Sequence, residues 1–441
     1  MIKERIRQTL VAKADQEYEQ ELRDKTPSYN AWFRSHEERL EKKYAEIDHT
    51  PGNKLTTTVV RYSHLRNYLL SGKDKPDIII AADDEGQLTP YAVGMICDCF
   101  AYNQDLGLLY GDEDRIDSDG AYKDPWLKSD WAPDTFLSTF YFGSIFAFRS
   151  SELLLINPGS RRAEDYESRA ALEADNKEEI EARRDLDEQM SSWIYGQLCM
   201  KLAQAEGGFT KRQGDGCGTF PIGHISEVLF HRTNKPVLWN SPLIRDSLTS
   251  RYSSESASTR LISIIIPSRD NPEILDRCIR TIEAYTDSSP YELIIVDNGS
   301  TEENRRKVQK ILERHDETGA SMYLCENSEF NFSKMCNRGA SVANGELLLF
   351  LNDDIEIRKP GWLSYLSEKA KLPYVGAVGM KLLYPDSDII QHAGIVNLRV
   401  GPVHKLQYLK NTDELYFGYN KGVRNVIAVT GACLMVRADL F

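Results

Sequence analysis

The sequence predicts an α/β protein whose central strands are parallel. Three apolar runs without polar alternation end at aspartates, over Leu261–Asp270, Leu293–Ser300 and Leu347–Asp354. Such runs are typical of parallel strands that are buried on both faces. Ligands bind at the carboxyl ends of the strands in an open parallel sheet, so these aspartates are predicted to converge on one crevice. Carboxylates gathered there suit a hydrated divalent cation and the hydroxyls of a sugar or ribose.

Composition narrows the class of protein. The 441 residues are enough for two or three domains, and the 41% hydrophobic and 27% charged content is typical of a globular protein. A net charge of −13 argues against nucleic acid as the main partner, because phosphate binding needs a basic surface. No signal peptide and no apolar run of membrane-spanning length is present. We therefore expect a cytoplasmic protein whose membrane association, if any, is peripheral at the inner face or lies outside this sequence.

The eight cysteines form neither a Cys-x-x-Cys pair nor a Cys/His cluster with zinc spacing. They are mostly scattered through apolar stretches, as reduced thiols in a core would be. Cys97 and Cys99 lie too close together for a zinc clamp, and we interpret them as structural residues of a helix.

The predicted elements divide the chain into four parts. Residues 1–54 are rich in Glu, Lys and Arg and predict a helical arm that packs on the next domain or on a partner subunit. Residues 55–232 predict a first α/β unit, with a highly charged helical insert between residues 161 and 189. Residues 233–260 are small, polar and turn-prone, as in a linker. The second α/β unit is predicted over residues 261–441.

The two units are interpreted as diverged copies of one module. Three segments of the first unit parallel three segments of the second: 77–84 with 346–354, 105–110 with 375–384, and 142–149 with 430–437. The first unit has few residues ahead of its first shared segment, and the second has few after its last. The first unit is therefore predicted to lack most of a front half, and the second to lack a back half.

No glycine-rich phosphate loop is present. Neither Gly-x-Gly-x-x-Gly nor Gly-x-x-x-x-Gly-Lys-Ser/Thr occurs, and the first strand of the second unit turns through Pro267–Pro272 instead. Another device must therefore carry the charge of a diphosphate. Asp354 with a divalent cation is the candidate, the cation acting as a Lewis acid for a departing diphosphate. Asp297 follows the second strand, where a carboxylate can accept hydrogen bonds from a base or ribose.

Six motifs carry a resemblance to a known family: Ile264–Asp270, Ile294–Thr301, Phe330–Ser333, Leu351–Ile355, Ile390–Gly394 and Val429–Cys433. Together they resemble family 2 glycosyltransferases, and more narrowly the two-domain bacterial enzymes of rhamnan, O-antigen and other surface polysaccharides. The resemblance is close over residues 261–441 and looser over 76–232.

The resemblance implies a GT-A fold, a sheet that is mixed but mostly parallel and flanked by helices. It also implies an inverting transfer from a UDP- or dTDP-sugar, with Mn²⁺ or Mg²⁺, to a glycan or lipid-linked glycan acceptor. A homo-oligomer or a partner glycosyltransferase is a further expectation. The residues implied for the donor site are Pro267, Arg269 and Asp270 at the nucleotide, Asp297 and Asn331 at the base, Asp353 at the ribose, and Asp354 at the metal. His392 is implied either at the donor sugar or metal, or as a structural histidine.

The chain differs from the family in its catalytic residue. The general base of such enzymes is an acidic residue downstream of the Gly-Ala-Cys strand, so we expect it beyond Phe441 and interpret the chain as truncated at its C-terminus. A chain of this extent is expected to be weakly active or inactive. In the first unit Ala81 replaces the first acid of the metal motif, and Glu188 is a candidate remnant of a catalytic acid. That unit is interpreted as a degenerate, structural copy, and a noncanonical transferase is the alternative.

Two other functions remain open from the residues. One is a non-catalytic scaffold of degenerate glycosyltransferase modules that binds glycan or a partner. The other is a nucleotidyltransferase, which would share the strand-end acids but would need a glycine- and basic-rich phosphate loop after its first strand.

Overall fold

A computed structural model describes residues 27–46, 55–71, 74–153, 222–235, 261–286, 289–315, 321–398 and 401–441. The chain divides into two compact units, Met1–Ser241 and Pro242–Phe441. The charged insert at 161–189 with Glu188, most of the linker, and residues 1–26 lie outside the described residues.

The described part of the first unit consists of one sheet of seven strands and five helices that connect or flank them. Its strands are β1 Thr57–Arg61, β2 Ile78–Ala82, β3 Gly86–Leu88, β4 Leu108–Ile116, β5 Tyr122–Trp126, β6 Ile145–Arg149 and β7 Ile222–Arg232. Its helices are α1 Tyr29–Glu46, α2 Tyr62–Leu70, α3 Ala92–Tyr102, α4 Pro133–Ser138 and α5 Ser150–Leu153.

The sheet of the first unit runs in the order β1-β2-β6-β4-β7-β3, with β5 paired to β4. Only the pairs β1–β2 and β4–β7 are parallel, and the remaining pairs are antiparallel. The prediction of a mostly parallel sheet is therefore wrong for this unit. The reason is that a continuous apolar run indicates a strand buried on both faces but does not reveal whether its neighbours run parallel or antiparallel.

Helix α1 packs on this sheet through one buried aromatic ring and a set of polar contacts. The buried ring is that of Phe33, which is fully enclosed. The hydroxyl of Tyr29 donates to Asp114 at 2.7 Å, and Glu37 lies 3.0 Å from Nε2 of His231. His36 lies 2.6 Å from Glu227 on β7. The described part of the predicted arm is thus held on the first unit by apolar packing of Phe33 and Leu40 as well as by ionisable and hydroxyl groups.

The second unit contains ten strands and four helices in its described residues. The strands are β8 Ile262–Ser268, β9 Tyr291–Asp297, β10 Ser321–Cys325, β11 Leu347–Leu351, β12 Val378–Gly379, β13 Leu382–Leu383, β14 Ile390–His392, β15 Ile395–Leu398, β16 Gly401–His404 and β17 Cys433–Arg437. The helices are α6 Pro272–Tyr285, α7 Glu302–His315, α8 Phe332–Ala340 and α9 Trp362–Ala370.

Its main sheet runs in the order β10-β9-β8-β11-β17-β12. Strands β10, β9, β8 and β11 are parallel, whereas β17 and β12 are antiparallel to their neighbours. All seven residues of β8 are buried, as the unbroken apolar run predicts for a central strand. Helix α6 starts at Pro272 and buries Leu275, Ile279 and Ile282, which lie on one face at helical spacing. The predicted α/β class is confirmed.

Four strands of the two sheets correspond in order and direction. In the first unit β1 is parallel to β2, β2 is antiparallel to β6, and β6 is antiparallel to β4. In the second unit β8, β11, β17 and β12 repeat this arrangement. Beyond this shared core, the second sheet adds β9 and β10 on one side, and the first adds β7 and β3 on the other.

No helix among the described residues is long and apolar enough to cross a membrane. Six cysteines lie in the described ranges and all are free thiols. Cys278, Cys336 and Cys433 are buried, but Cys325 is exposed at the end of β10, so the prediction of core positions is wrong for that residue.

Candidate donor site at the carboxyl edge of the second sheet

The predicted convergence of strand ends is visible as a chain of hydrogen bonds. The hydroxyl of Ser268, at the end of β8, donates to Asp353 at 2.7 Å. Ser268 is also the register partner of Asp297 on β9. Asp297 accepts the backbone N–H of Ser300 at 2.7 Å, and the hydroxyl of Ser300 accepts the backbone N–H of Asp270 at 2.8 Å. Three predicted acids therefore share one edge of the sheet.

Asp297 is the most enclosed of these carboxylates, with 1% of its surface exposed. Its Oδ1 accepts the N–H of Ser300, and its Oδ2 accepts the hydroxyl of Tyr323 on β10 at 2.7 Å. Both oxygens are thus hydrogen-bonded, which a buried carboxylate requires.

Asp270 organises the turn that follows β8. Its backbone has a φ of 54°, in the left-handed region that short polar side chains tolerate better than most. Its Oδ1 accepts the side-chain amide of Asn304 at 3.0 Å and the N–H of Thr301 at 2.8 Å. These two hydrogen bonds stabilise the ionised form and lower the pKa of Asp270. The carboxylate stays charged and fixes the start of the chain that leads into α7.

The Asn352–Asp354 turn follows β11 and supplies the predicted metal acid. The N–H of Asn352 donates to the carbonyl of Ala432 at 3.0 Å, which ties the turn to the segment ahead of β17. Burial raises the pKa of Asp353, the hydrogen bond from Ser268 opposes that shift, and the negative charge of Asp354 adds to it. Asp354 itself is exposed. A cation near Asp354 would relieve the repulsion between the two neighbouring carboxylates.

The donor set fits a cation that is shared with a ligand. Among the described residues no group of three or more His, Cys, Asp or Glu side chains forms a ready-made metal cage. Mg²⁺ is commonly held by only one or two carboxylates together with the phosphates of a substrate. One exposed acid beside a second, half-buried acid meets that requirement, so Asp354, with Asp353 behind it, could hold the cation once a diphosphate is present.

The remaining predicted donor residues occupy different surroundings. Pro267 is buried within β8, and Arg269 is exposed with its Nε 3.9 Å from a carboxylate oxygen of Asp270. Asn331 caps α8, because its side-chain oxygen accepts the N–H of Lys334 at 2.9 Å. Within the described part of the chain, Asn331 forms no hydrogen bond with the strand-end carboxylates.

His392 lies in a buried position with both ring nitrogens engaged. Its Nε2 is 3.3 Å from the backbone N–H groups of Gly394 and Thr430, and its Nδ1 is 2.8 Å from Nδ1 of His404. Burial, and then the neighbouring His404, lowers the pKa of His392 to about 4. The ring is therefore neutral at pH 7, with Nε2 as an acceptor that holds the segment ahead of β17 in place.

The sequence did not predict a role for three further residues of this edge: Ser268, Tyr323 and Asn298. Asn298 is buried, and its side-chain amide donates to the carbonyls of Glu326 and Ser328 at 3.2 and 3.0 Å. Its backbone N–H donates to Ser268 at 3.0 Å, so it joins the ends of three strands. The sequence signal for Ser268 and Asn298 is that each is a polar residue at the end of a predicted parallel strand.

The first unit repeats the hydrogen bonds of this edge. Ser63 donates to Asp84 at 2.6 Å, as Ser268 does to Asp353. The N–H of Asp83 donates to the carbonyl of Ser144 at 2.8 Å, as that of Asn352 does to Ala432. The N–H of Ser150 donates to Asp77 at 3.0 Å, and that of Ala438 to Glu346 at 2.9 Å.

This register corrects one prediction about the first unit. Ala82 and Leu351 are the last residues of β2 and β11, so Asp83 stands at the position of Asn352, and Glu85 at that of Asp354. The prediction that Ala81 replaces the first acid is wrong. Ala81 lies within β2, which ends at Ala82, and the first position of the motif is occupied by Asp83.

The crevice of the first unit is closed by a tyrosine. Tyr62 stands where the second unit has Pro267, and its hydroxyl donates to the carbonyl of Gly143 at 2.7 Å. The ring is almost fully buried, and burial raises the pKa of this phenol well above its usual value. Proline has no side-chain donor and cannot form this hydrogen bond.

Buried charges lie beside that closure. The side chains of Lys128 and Glu113 are fully buried and 3.1 Å apart, and Arg232 lies 2.9 Å from the other oxygen of Glu113. Lys128 also donates to the carbonyls of Gly111 and Phe142 at 2.7 and 2.6 Å. Each ammonium proton of Lys128 therefore has an acceptor, as a buried charged donor requires.

Comparison with known proteins identifies the second unit. The family described as "Glycosyl transferase family 2" matches residues 263–430. Those residues form a family 2 glycosyltransferase domain. The strand-end acids of the second unit, Asp270, Asp297, Asp353 and Asp354, all lie within this glycosyltransferase domain.

Curated relatives extend the similarity to most of the chain. The O-antigen biosynthesis protein RfbC of Myxococcus xanthus is 30% identical over 365 residues, which are 81% of this chain and 27% of that protein. The GalNAc(5)-diNAcBac-PP-undecaprenol beta-1,3-glucosyltransferase of Campylobacter jejuni is 27% identical over 128 residues, 29% of this chain and 40% of that enzyme. The matched segments thus span about a quarter of the first relative and 40% of the second.

Two solved structures show a more distant similarity. The mannosyltransferase PcManGT from Pyrobaculum calidifontis, in complex with GDP-Man and Mn²⁺, is 19% identical with a TM-score of 0.27, over 33% of this chain and 44% of that one. Residues 1–349 of S. aureus TarS are 18% identical with a TM-score of 0.25, over 32% of this chain and 42% of that one.

Proposed function

We propose that the glycosyltransferase domain takes a sugar from a UDP- or dTDP-sugar and passes it, with inversion, to a growing cell-surface polysaccharide. The observation that carries this proposal is the row of hydrogen-bonded carboxylates at the carboxyl edge of the second sheet, inside the matched family domain. The polysaccharide acceptor, glycan or lipid-linked, is suggested by the names of the two curated relatives.

Each carboxylate has a distinct proposed task. Asp297 faces the base, and Asp353, held by Ser268, faces the ribose. Asp270 fixes the turn beside the nucleotide, together with Pro267 and Arg269. Asn331 caps α8 near the base, and His392 holds the segment ahead of β17 rather than the sugar or metal. The support for these tasks is the order of the strand ends, which places acids along one edge.

Asp354 is the proposed ligand of Mn²⁺ or Mg²⁺. When bound, the cation neutralises the departing diphosphate as a Lewis acid. Asp353 and Asp354 repel one another without it, which favours a cation at the exposed acid. In the transfer, the acceptor oxygen bonds to the anomeric carbon as the bond from that carbon to the diphosphate breaks. We assign no residue as the base that receives the acceptor proton.

The first unit is proposed to be a diverged, non-catalytic copy of the same module. The support is the shared strand order, the matched register and the repeated Ser–Asp hydrogen bond. Tyr62 closes its crevice and the strands that correspond to β9 and β10 are not among its described elements. This unit is therefore favoured as a structural or partner-binding part of the protein.

Calorimetric titration of the purified chain with UDP-, dTDP- and GDP-sugars, with and without Mn²⁺, tests the donor site. Asp354→Ala should abolish the metal-dependent part of nucleotide binding, while the free energy of unfolding changes by less than about 0.5 kcal/mol, because the side chain is exposed. Glu368→Ala, at an exposed acid of α9, is the matched control and should bind like the parent. Equal affinity in the Asp354 variant and the parent would exclude Asp354 as the metal ligand.

A further inference from the structure

Tyr323 holds the buried carboxylate that the donor site would offer to a nucleobase. Its hydroxyl donates to Oδ2 of Asp297 at 2.7 Å, while the backbone N–H of Ser300 occupies Oδ1. A carboxylate with 1% exposure has no open path to a ligand while this arrangement lasts. Each oxygen of Asp297 already accepts one hydrogen bond from the protein, and the buried surroundings leave no room for a base beside the phenol unless the phenol moves.

The two strands explain why the phenol reaches this oxygen. Strand β10 runs parallel to β9 with Tyr323 opposite Ile295 and Cys325 opposite Asp297. Side chains alternate along a strand, so Tyr323, Ile295 and Asp297 lie on the same face. A tyrosine side chain is long enough to span to the diagonal neighbour. Register, rather than proximity in sequence, therefore creates the contact.

The tyrosine is the partner that can move. Strand β10 is the end strand of the sheet among the described elements, and every residue of it is at least partly exposed. Asp297 lies on the next strand, which is buried from Glu292 onward, and Ser300 fixes its other oxygen. Rotation of an edge-strand side chain disturbs little packing, whereas movement of Asp297 would disturb the core.

We propose that the hydroxyl of Tyr323 occupies, in the nucleotide-free protein, the oxygen of Asp297 that a nucleobase N–H takes over on binding. The proposal rests on the donor function above and adds to it a residue that sets affinity and selectivity. An ionised carboxylate only accepts hydrogen bonds, so the incoming base must supply an N–H in place of the phenol. A base without that N–H leaves a buried oxygen unpaired, which weakens binding by roughly a factor of ten or more.

The exchange makes opposite predictions for stability and for affinity. Tyr323→Phe keeps the ring and removes only the hydroxyl. Without nucleotide, Oδ2 of Asp297 loses its partner, so the second unit should unfold roughly 2–6 °C lower. With UDP, no hydroxyl has to be displaced, so the Kd should fall roughly three- to tenfold. A residue that merely supports the fold would lower both stability and affinity.

The experiment combines calorimetric unfolding of the whole chain with UDP titration in Mn²⁺. Tyr291→Phe is the matched control, because Tyr291 lies half-buried at the opposite end of β9, and that variant should keep the parent Kd. In a double variant with Asp297→Asn the gain from Tyr323→Phe should vanish. N3-methyl-UDP, which lacks the imide N–H, should bind the parent at least about tenfold more weakly than UDP and should show no gain in the Phe variant.

The outcomes separate this inference from the donor function. Unchanged or weaker UDP binding by Tyr323→Phe, in a parent that does bind UDP or dTDP, overturns the role of Tyr323 and leaves the donor site intact. Equal binding of UDP and N3-methyl-UDP overturns it as well. A parent chain that binds no nucleotide in any of these titrations overturns both proposals.

Discussion

Replacing Lys128 by methionine should destabilise the first unit strongly. The ammonium group is fully buried and donates to the carbonyls of Gly111 and Phe142 and to Glu113. Methionine has a similar length, so the change removes the charge and its hydrogen bonds while leaving most of the packing volume filled.

The magnitude follows from the partners that remain. Removing one member of a buried ion pair costs about 3–5 kcal/mol, because the other charge stays buried. Glu113 keeps Arg232 at 2.9 Å and the N–H of Ser144 at 2.6 Å, which favours the lower part of that range. Two carbonyl groups lose a donor, and each costs about 1 kcal/mol. We expect a total loss of about 5 kcal/mol in the free energy of unfolding, about 3 from the ion pair and about 2 from the two carbonyl groups.

Tryptophan fluorescence during urea unfolding measures this loss. Five of the six tryptophans precede residue 242, so the signal reports mainly on the first unit. A loss of this size should lower the urea midpoint by more than about 1 M. Lys123→Met is the control, because Lys123 is half-exposed and a surface ion pair such as the one it forms with Asp117 contributes little to stability. If the two variants lose the same stability to within about 1 kcal/mol, Lys128 does not carry a fully buried, fully hydrogen-bonded charge.

Two further predictions concern single residues. Burial lowers the pKa of His231, but its hydrogen bonds to Asp114 and Glu37 outweigh that effect and raise the pKa to about 9. Its stabilising contribution, at most about 3 kcal/mol, should be complete below pH 6.5 and lost as the pH rises through about 9. Urea midpoints at pH 6 and 9.5 should therefore differ less in His231→Gln than in the parent, while the exposed His64→Gln keeps the parent difference. The second prediction compares glycines at corresponding positions: Gly143→Ala should cost at least about 2 kcal/mol, since φ is 68° and a Cβ would lie 2.4 Å from Glu113. Gly431→Ala should cost less than about 1 kcal/mol, since its Cβ would lie 3.3 Å from the edge of Phe332, and equal losses in calorimetry would contradict that difference.

The acids of the donor site could be predicted because their positions depend on strand ends alone. Asp270, Asp297 and Asp353 each follow an apolar run, and the carboxyl ends of parallel strands share one edge of a sheet. Their partners could not be predicted in the same way. The contact between Tyr323 and Asp297 depends on the register of β10 against β9, and that between Ser268 and Asp353 on the neighbour order of β8 and β11.

The first unit shows a second limit of sequence patterns. The apolar residues of β2 and β6 indicate buried strands correctly, but they carry no information on whether neighbours run parallel or antiparallel. Comparison of the two units by sequence also placed Ala81 in the metal motif, because short apolar runs can be aligned with a shift at little cost in similarity. The hydrogen bond from the N–H of Asp83 to the carbonyl of Ser144 fixes the alignment, and a contact between residues so far apart cannot be deduced from the sequence.

The repeated Ser–Asp hydrogen bond gives this protein an internal reference for measurement. Ser63→Ala and Ser268→Ala delete the same contact at corresponding positions of two sheets in one molecule. Both deletions are made in the same chain, at the same concentration, pH and ionic strength. The difference between their effects therefore isolates what the surroundings of each acid contribute, without a second protein as the standard.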